Sequence, residues 1–364
     1  MNKKVALVTD LKVVDSPQAG IGVAKCLKDA GFKVVGVDDT PLTTQNPDLF
    51  KKVFCWEELR SLNFDSLVKK VIEIKNCYGL DYIFPCYDET TILFSFIKDK
   101  LDYLDIKLIA PPKDILKKFR KENLSKVINS SDNYTSPKRR IVNSLDKAQE
   151  FSQFLGYPVI VKGLTKGAYL CKNESDLRQN VQKISDIWNN GKIDCIIEEY
   201  ITGKYINCIL AIKDRKIVGF VEMEKIALDQ NGATWFGKVK KTKELLPLGE
   251  RLIKKNNFAT SIIEIETIEK EDKYYVYEIN PRSPAWTYAP CLLGLNLPNL
   301  VALEAGDKSK KIRFVKEEGF FGREVTDFVR KDIQGYEGKM DFYSKGVAYK
   351  SKELKYPSEL LLDL

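Results

Sequence analysis

The first part of the chain alternates between short apolar runs and stretches whose apolar residues recur at helical spacing. The runs at 4–8, 32–38, 81–84 and 108–110 have the length and composition of buried strands. Parallel strands need a crossover between them, and a helix usually provides it. Strands and helices that alternate at this spacing predict an open, doubly wound parallel α/β domain at 1–112.

The pattern changes after this domain. A stretch of helices and strands comes first, and two β-hairpins follow at 205–225 and 261–279, each with a charged turn between apolar strands. Strands joined by short polar turns pair in the antiparallel sense. We therefore expect a two-part α+β unit whose second part contains an antiparallel sheet. The predicted bounds are 113–198 for the small part, 199–310 for the large part and 311–364 for a C-terminal extension without an assigned role.

The absence of histidine restricts the chemistry of this chain. None of its 364 residues is histidine, which excludes Ser-His-Asp and Cys-His catalysis, His-ligated zinc and a phosphohistidine relay. The 8 cysteines form no Cys-x-x-Cys pair, so neither a zinc ribbon nor a thioredoxin-type motif is present. Catalysis must use carboxylates, lysine, arginine, backbone amides or metals that prefer oxygen ligands. Mg²⁺ with a nucleotide fits that set of groups.

The charge distribution bears on partners and location. The net charge is +8, from 59 basic and 51 acidic residues that are interspersed along the chain. This favours a solvated surface over a nucleic-acid-binding tail, with a site that attracts anions such as a nucleotide as the alternative. The apolar run at 5–8 is too short for the core of a signal peptide, and no run is long enough for a membrane helix. We expect a cytoplasmic protein without a membrane or nucleic-acid partner.

The second hairpin ends in a Glu-Ile-Asn-Pro-Arg motif that begins at Glu278. Side chains alternate along a strand, so Glu264 and Glu266 share one face, and Glu278 and Asn280 share a side of the return strand. If the hairpin pairs across its turn, these groups converge and offer the oxygen ligands that Mg²⁺ prefers. Arg282 follows with a planar fork for phosphate or carboxylate. The alternative, weighted equally from the residues alone, is a solvated acidic strand edge.

Two further segments have weaker signals. Lys162 ends an apolar strand, and the loop at 163–168 contains two glycines that allow a backbone to approach phosphates closely. A surface lysine is the commoner meaning of such a position. The segment 196–201 joins the two parts of the α+β unit and could receive a flat adenine ring, although a strand followed by a polar turn explains its spacing equally well.

In this order, these elements resemble the ATP-grasp superfamily, especially its carbamoyl-phosphate-synthetase-like and biotin-carboxylase-like branch. The resemblance covers roughly residues 1–310, and Glu-x-Asn-Pro-Arg after a strand is its most specific part. The amino-terminal α/β domain resembles the family's pre-ATP-grasp domain. The segments that carry the resemblance are 85–89, 156–163, 197–201, 278–282 and 286–300.

The resemblance implies how ATP would be bound. Lys162 would contact the α- and β-phosphates, and Lys121 would be the earlier nucleotide lysine. Glu198 would hold the adenine together with the backbone of Glu199 and Ile201. These residues form the nucleotide-binding set that we expect.

The resemblance also implies a metal and a transfer site. Glu266, Glu278 and Asn280 would bind Mg²⁺, with Mn²⁺ as an alternative ion. Arg282 would stabilise the transferring phosphoryl group or the acyl-phosphate, and Lys238, from its loop position, would reach the same phosphates. These last two residues are the predicted catalytic pair.

This chain departs from the family at several places. The phosphate loop is short, and Tyr205 stands where many members carry a further glutamate near the ribose. Trp286 stands four residues after Arg282, where biotin carboxylases have a catalytic glutamate, which argues against bicarbonate activation. The expected function is an ATP-dependent carboxylate–amine ligase that forms an amide through an acyl-phosphate and releases ADP and phosphate. Its substrates would be a small-molecule carboxylate and an amine.

Three alternatives stay open at this point. One is an ATP-grasp enzyme that modifies a peptide or protein, and another is a nucleotide-binding protein that has lost turnover. A Rossmann dehydrogenase is suggested only by Gly20-x-Gly22, and the third glycine position holds Lys25. Dimers are common in the family that the chain resembles, so a homodimer is one option, but the sequence leaves the oligomeric state open.

Overall fold

The computed structural model describes the residues that form three β-sheets and the helices around them. None of the described helices is long and apolar enough to cross a membrane. The described residues are 3–12, 19–39, 49–56, 59, 63–128, 130–131, 133–164, 167–189, 191–229, 232–302 and 311–323.

A five-stranded parallel sheet forms the amino-terminal part, with the strand order β3-β2-β1-β4-β5. Its strands are β1 Val5–Thr9, β2 Lys33–Asp38, β3 Lys52–Cys55, β4 Tyr82–Phe84 and β5 Lys107–Leu108. The helices of this part are α1 Ala19–Asp29, α2 Phe64–Tyr78, α3 Asp88–Phe96 and α4 Lys98–Tyr103.

Both faces of this sheet are covered. Ala6 and Val8 of β1 lie in one core with Val23 of α1. The intervening Leu7 lies in a second core with Val71 of α2. Because helices cover each face, β1 is buried along its whole length, as expected for a parallel sheet. The doubly wound α/β arrangement predicted for this part is confirmed.

Helix α2 shows how local chemistry sets the ends of an element. The side chain of Asn63 accepts a hydrogen bond from the backbone N–H of Ser66 at 2.8 Å, which satisfies a donor that has no partner within the helix. At the other end Gly79 adopts a left-handed conformation with φ of 73°, which glycine reaches without steric cost. The helix therefore ends where its apolar stripe ends.

A four-stranded antiparallel sheet comes next, with the strand order β7-β10-β8-β9. One of its faces packs on two helices, with Phe151 and Leu177 against Val161. Its strands are β7 Arg139–Val142, β8 Val159–Gly163, β9 Ala168–Cys171 and β10 Cys195–Glu199. The preceding strand is β6 Tyr134–Thr135, and the helices are α5 Lys113–Lys118, a 3-10 turn Lys121–Asn123, α6 Leu124–Val127, α7 Leu145–Leu155 and α8 Glu174–Trp188.

A seven-stranded sheet completes the fold, with the strand order β16-β13-β12-β11-β14-β15-β6. Both predicted hairpins are present as antiparallel pairs, β11 with β12 and β14 with β15. The strands are β11 Lys204–Lys213, β12 Lys216–Leu228, β13 Thr234–Lys240, β14 Ser261–Lys270, β15 Lys273–Asn280 and β16 Gly319–Gly322. The helices are α9 Leu246–Lys255, α10 Tyr288–Leu292 and α11 Leu297–Ala302.

The two faces of the large sheet pack against different partners. Ile209 and Val221 share a core with Val23 of α1 and Leu297 of α11. On the opposite face Leu210 lies in a core with helix α9. One core therefore joins the first and third sheets, and the predicted domain boundaries stay predictions. The predicted C-terminal extension contributes β16 to this sheet, and its residues from 324 onward lie outside the described part of the chain.

Candidate active site

The hairpin of β14 and β15 brings the predicted carboxylates together. Glu266 pairs with Glu278 across the hairpin, and Glu264 pairs with Asn280. Residues directly opposite each other in an antiparallel pair point to the same face, so all four side chains share one face. The next pair joins Thr267 and Val276, which makes Tyr277 an extra residue in a β-bulge. The bulge lets the side chain of Tyr277 reach the same cluster.

Glu266 accepts hydrogen bonds from three side chains of the cluster. Its Oε2 accepts hydrogen bonds from Lys225 Nζ and from the Tyr277 hydroxyl, both at 2.6 Å. Its Oε1 accepts one from Asn280 Nδ2 at 2.7 Å. Burial by itself raises the pKa of Glu266, but the Lys225 ammonium outweighs burial and lowers that pKa to about 2. Burial and Glu266 raise the pKa of Tyr277, so its hydroxyl remains a donor.

Glu264 lies deeper and has no ammonium group among these contacts. Its Oε1 accepts from Asn207 Nδ2 at 2.9 Å and from Trp286 Nε1 at 2.7 Å, and its Oε2 accepts from Asn280 Nδ2 at 3.0 Å. Burial, followed by repulsion from Glu266, raises the pKa of Glu264 to about 7. Trp286 therefore anchors the segment after the motif to the strand below it.

Glu278 is the open carboxylate of the cluster. Its Oε1 lies 3.3 Å from Lys121 Nζ, and the two side chains are 28% and 27% exposed. Burial lowers the pKa of Lys121, but Glu278 and then Asp88 outweigh it and the net pKa is raised. Lys121 is therefore a charged ammonium that lies beside a carboxylate with room for further ligands.

Arg282 connects the motif to the amino-terminal part of the chain. Its Nε donates to Asp88 Oδ1 at 3.0 Å, and its Nη2 donates to Asn280 Oδ1 at 3.4 Å. Asp88 is the first residue of α3 and belongs to the segment 85–89. Burial opposes the charge on Arg282, but Asp88 and then Glu264 outweigh burial and raise the pKa of the guanidinium. The first sheet therefore contributes a side chain to the site.

The small sheet supplies a buried cation pair around Glu198. Lys162 Nζ lies 2.6 Å from Glu198 Oε1, and Arg139, which is opposite Glu198 in the β7–β10 ladder, pairs with its other oxygen. Arg139 Nη1 also donates to the carbonyl of Lys121 at 3.1 Å, and Nη2 donates to the carbonyl of Tyr277 at 3.2 Å. Arg139 thereby links the small sheet, the Lys121 turn and the hairpin.

The remaining predicted residues fall into two groups. Glu199 and Ile201 lie in the connection from β10 to β11, where Glu199 Oε2 accepts from the backbone of Lys138 at 3.1 Å and Ile201 is buried. Lys238 is not brought to the carboxylates. It is opposite Glu224, one residue from the inward-facing Lys225, so it points to the other face of the sheet and lies 2.9 Å from Glu318 Oε2.

Sequence reasoning missed Lys225, Arg139 and Tyr277. Lys225 lies inside a predicted hairpin and has no motif around it. The only signal for it is strand alternation, which places its side chain on the same face of β12 as Val221 and Met223. Arg139 becomes recognisable only once its pairing with Glu198 is known. Tyr277 precedes Glu278 directly, so regular alternation places it on the wrong face and only the bulge corrects this.

The oxygen groups fit a hard divalent cation in their chemistry. Two carboxylates, Glu266 and Glu278, face each other across the hairpin, and the amide oxygen of Asn280 lies on the same face. Among the described residues, no group of three or more His, Cys, Asp or Glu side chains is arranged to hold a metal ion alone. Mg²⁺ usually takes one or two protein carboxylates and completes its shell with water and phosphate oxygens. This donor set suits an ion that arrives with a nucleotide.

Phosphate groups also fit the cations around the hairpin. Lys121, Lys225 and Arg282 surround the carboxylate cluster, and Lys162 lies 5.2 Å from the centroid of the Tyr277 ring beside it. The phosphate loop predicted after Lys162 is described only in part, because residues 165 and 166 lie outside the described residues.

Comparison with solved structures identifies the fold, whereas no family model matches the sequence. An L-amino acid ligase from Bacillus licheniformis aligns with a TM-score of 0.62 at 13% identity, over 88% of this chain and 79% of that chain. The biotin carboxylase domain of 2-oxoglutarate carboxylase from Hydrogenobacter thermophilus aligns with a TM-score of 0.59 at 18% identity, over 84% of this chain and 71% of that chain.

A third enzyme, phosphoribosylglycinamide synthetase from Anaerococcus prevotii, aligns with a TM-score of 0.56 at 16% identity, over 83% of this chain and 74% of that chain. These enzymes share the ATP-grasp fold. At such low sequence identities, the structural similarity establishes the fold alone. The chain therefore has the ATP-grasp fold in its biotin-carboxylase-like form, with a parallel α/β domain ahead of the two-part α+β unit, as the sequence resemblance predicted.

Proposed function

We propose that this protein is an ATP-dependent carboxylate–amine ligase that forms an amide through an acyl-phosphate. The observation that carries the proposal is the pair Glu266 and Glu278, which face each other across one hairpin, each beside a lysine. Each carboxylate is paired with a lysine ammonium that can be exchanged. Such a pair suits a site where Mg²⁺ takes the place of the ammonium at the carboxylate and the ammonium binds phosphate.

The nucleotide-binding residues of the proposal lie on the small sheet, on the 3-10 turn before it and at the connection from β10 to β11. Lys121 and Lys162 contact phosphates, and Glu198, Glu199 and Ile201 form the adenine end. The 2-oxoglutarate carboxylase domain was solved with MgADP, ADP and bicarbonate, which supports ATP as the nucleotide for a shared fold. In this chain Glu198 is bonded to two cations, so adenine binding to its side chain requires one of these ion pairs to rearrange.

The metal set of the proposal is Glu266, Glu278 and Asn280, with Mg²⁺ as the ion and Mn²⁺ as the alternative. When bound, the ion supplies charge neutralisation at the phosphate oxygens. Glu278 would be the most accessible ligand for this ion, because 28% of its side chain is exposed. Glu266 would be the second carboxylate ligand, with the Lys225 ammonium as the group that the ion would replace at its Oε2.

The reaction joins two substrates in two steps. An oxygen of the substrate carboxylate attacks the γ-phosphorus of ATP, the bond to the β-phosphate oxygen breaks, and ADP leaves. The amine nitrogen then attacks the acyl-phosphate carbon, phosphate leaves with the bonding electrons, and the amine loses a proton. Arg282 neutralises charge on the transferred phosphoryl group, while Asp88 fixes the orientation of its guanidinium. Lys238 is left out because it lies on the other face of the sheet.

Small molecules are the substrates that this proposal favours. The L-amino acid ligase and the phosphoribosylglycinamide synthetase bear names that fit carboxylate–amine joining on this fold. The indole N–H of Trp286 is bonded to Glu264, which places no base at this position and disfavours bicarbonate as the carboxylate. A peptide substrate, a homodimer and a cytoplasmic location stay predictions.

The test is a screen for ADP and phosphate over a panel of amino acids, small acids and peptides, each offered with and without amines. The proposal expects ADP formation that depends on both a carboxylate and an amine. AMP and pyrophosphate as products would contradict the acyl-phosphate. ADP formation with bicarbonate but with no other acid would contradict the substrate class.

A further inference from the structure

Tyr277 touches two residues that the proposed function assigns to different parts of the ATP site. Its hydroxyl donates to Glu266 Oε2 at 2.6 Å. Its ring lies beneath the ammonium of Lys162, which is 5.2 Å from the ring centroid. One side chain therefore contacts both a proposed metal carboxylate and a proposed phosphate lysine.

We propose that Tyr277 is a positioning residue that couples the phosphate lysine Lys162 to the metal carboxylate Glu266. The inference rests on the proposed function, because it takes these two residues as ligands of nucleotide and metal. It adds a residue to that site, because Tyr277 itself touches neither the reacting atoms nor the ion.

The hydroxyl of Tyr277 holds Glu266 in place when its other contact is exchanged. Lys225 Nζ lies 2.6 Å from Glu266 Oε2 and 3.2 Å from the Tyr277 hydroxyl, so the three groups form a triangle. When an ion displaces the ammonium from Glu266, the tyrosine hydroxyl still donates to that oxygen and Asn280 still donates to the other. Partners that orient a metal carboxylate in this way commonly affect metal affinity by about ten- to a hundredfold.

The ring of Tyr277 acts on the phosphate side. A lysine ammonium over an aromatic face is attracted by the ring quadrupole, and the attraction grows where water is excluded. The ring is itself held by the edge of Tyr205, with centroids 6.2 Å apart and planes at 85°. Lys162 is 8% exposed, so its ammonium is confined between Glu198 and this ring.

The backbone of Tyr277 is fixed as firmly as its side chain. Its carbonyl accepts from Arg139 Nη2 at 3.2 Å, and Arg139 also pairs with Glu198. Arg139 therefore links the bulge to the small sheet, so a shift of the small sheet relative to the large one acts on the backbone of Tyr277. Coupling between the proposed phosphate lysine and the proposed metal carboxylate requires such a connection.

Two substitutions separate the roles of ring and hydroxyl. Tyr277→Phe keeps the ring and removes the hydroxyl, whereas Tyr277→Leu removes both. Tyr274→Phe is the matched control, because Tyr274 lies on the same strand in the core of the opposite face and its hydroxyl donates to Glu244 Oε2 at 2.7 Å, away from the Glu266 network. Mn²⁺ binding is measured by electron paramagnetic resonance with saturating ADP, and ADP binding is measured by calorimetry without a divalent ion.

We expect Tyr277→Phe to weaken Mn²⁺ binding to the ADP complex by roughly tenfold and to leave metal-free ADP binding within about twofold of wild type. Tyr277→Leu should weaken both, and Tyr274→Phe should weaken neither. If the wild-type protein binds ADP but Mn²⁺ affinity is equal in wild type and Tyr277→Phe, the inference is overturned and the proposed nucleotide site stands. Absence of ADP binding to the wild-type protein overturns the proposed function and the inference with it.

Discussion

Two clusters of acidic residues in this molecule, most of them buried, differ in what neutralises them. The hairpin cluster consists of Glu264, Glu266 and Glu278, and the sheet-edge cluster of Asp10, Asp38 and Asp39 lies at the carboxyl ends of β1 and β2. In the hairpin cluster, Glu266 and Glu278 each pair with a lysine on a long side chain. In the proposed function, an ion takes the place of these partners.

The sheet-edge cluster is held mainly by fixed groups. Asp38 accepts from the backbone N–H of Leu11 at 2.6 Å and from that of Asp39 at 2.7 Å. Asp10 accepts from the hydroxyl of Thr90 at 2.6 Å and from that of Thr9. Lys12 also pairs with Asp39.

The difference teaches how to separate a chemical site from a structural one. Both clusters bury carboxylates, so burial alone does not identify function. Backbone amides cannot leave without unfolding the local chain, and a buried threonine hydroxyl moves only as far as a χ1 rotation takes it, whereas a lysine ammonium can move by several ångströms through its own rotamers. Exchangeable partners support the proposal that the hairpin cluster binds Mg²⁺ and phosphate.

The largest expected effect comes from removing an exchangeable partner. Lys225→Met leaves the buried carboxylate of Glu266 without its cation, and the free energy of unfolding should fall by roughly 3 kcal/mol. Urea denaturation measures this loss. Adding Glu266→Gln to Lys225→Met should restore part of the stability because the uncompensated charge is then gone. Unchanged stability of Lys225→Met would show that the ammonium is not the partner of Glu266.

The next effect is on turnover. Glu278→Gln should lower ADP formation by about a hundredfold, because it removes the open metal carboxylate, and a loss of that size corresponds to roughly 2.7 kcal/mol in the barrier. Its thermal unfolding should barely change, since the side chain is 28% exposed. The matched control is Glu271→Gln in the exposed turn of the same hairpin. Equal turnover of Glu278→Gln and the control would rule out the metal assignment.

The smallest effect concerns the sheet-edge cluster and depends on pH. Burial, followed by repulsion from Asp10, raises the pKa of Asp38 to about 7. The folded protein therefore binds a proton there that the unfolded chain releases near pH 4, and this contribution to stability is lost as the pH rises toward 7. Asparagine does not titrate, so the stability of Asp38→Asn relative to wild type should improve as the pH rises from about 4.5 to about 7.5.

Denaturation of wild type and Asp38→Asn at both pH values measures this drift. The variant should keep ADP formation within about twofold of wild type, in contrast to Glu278→Gln. A stability difference that is the same at both pH values would contradict the raised pKa. A large loss of turnover would place the sheet-edge cluster in the site and remove the distinction between the two clusters.

Much of the fold follows from local sequence patterns. The alternation of strand and helix before residue 112 predicts the parallel sheet, and the charged turns predict both hairpins. Strand parity also places Glu264 and Glu266 on one face before any pairing is known. These features depend on neighbouring residues, which a sequence displays directly.

The rest of the site depends on an irregularity in the strand alternation and on contacts between residues far apart in the sequence. A bulge at Tyr277 reverses the face that regular alternation assigns to it, and no residue in the strand announces the bulge. Lys238 was chosen from its loop position, whereas its pairing with Glu224 turns it away from the carboxylates. Arg139 and Asp88 reach the site from parts of the chain far from the motif, so only the folded arrangement reveals them.

Calorimetric titration of ADP with and without Mg²⁺, on wild type and Glu278→Gln, tests most directly the claim that the hairpin cluster is a nucleotide–metal site. We expect Mg²⁺ to tighten ADP binding to the wild-type protein by at least about tenfold, and to have little effect on the variant. ADP binding that is absent from the wild-type protein, or equally dependent on Mg²⁺ in both proteins, would contradict the account.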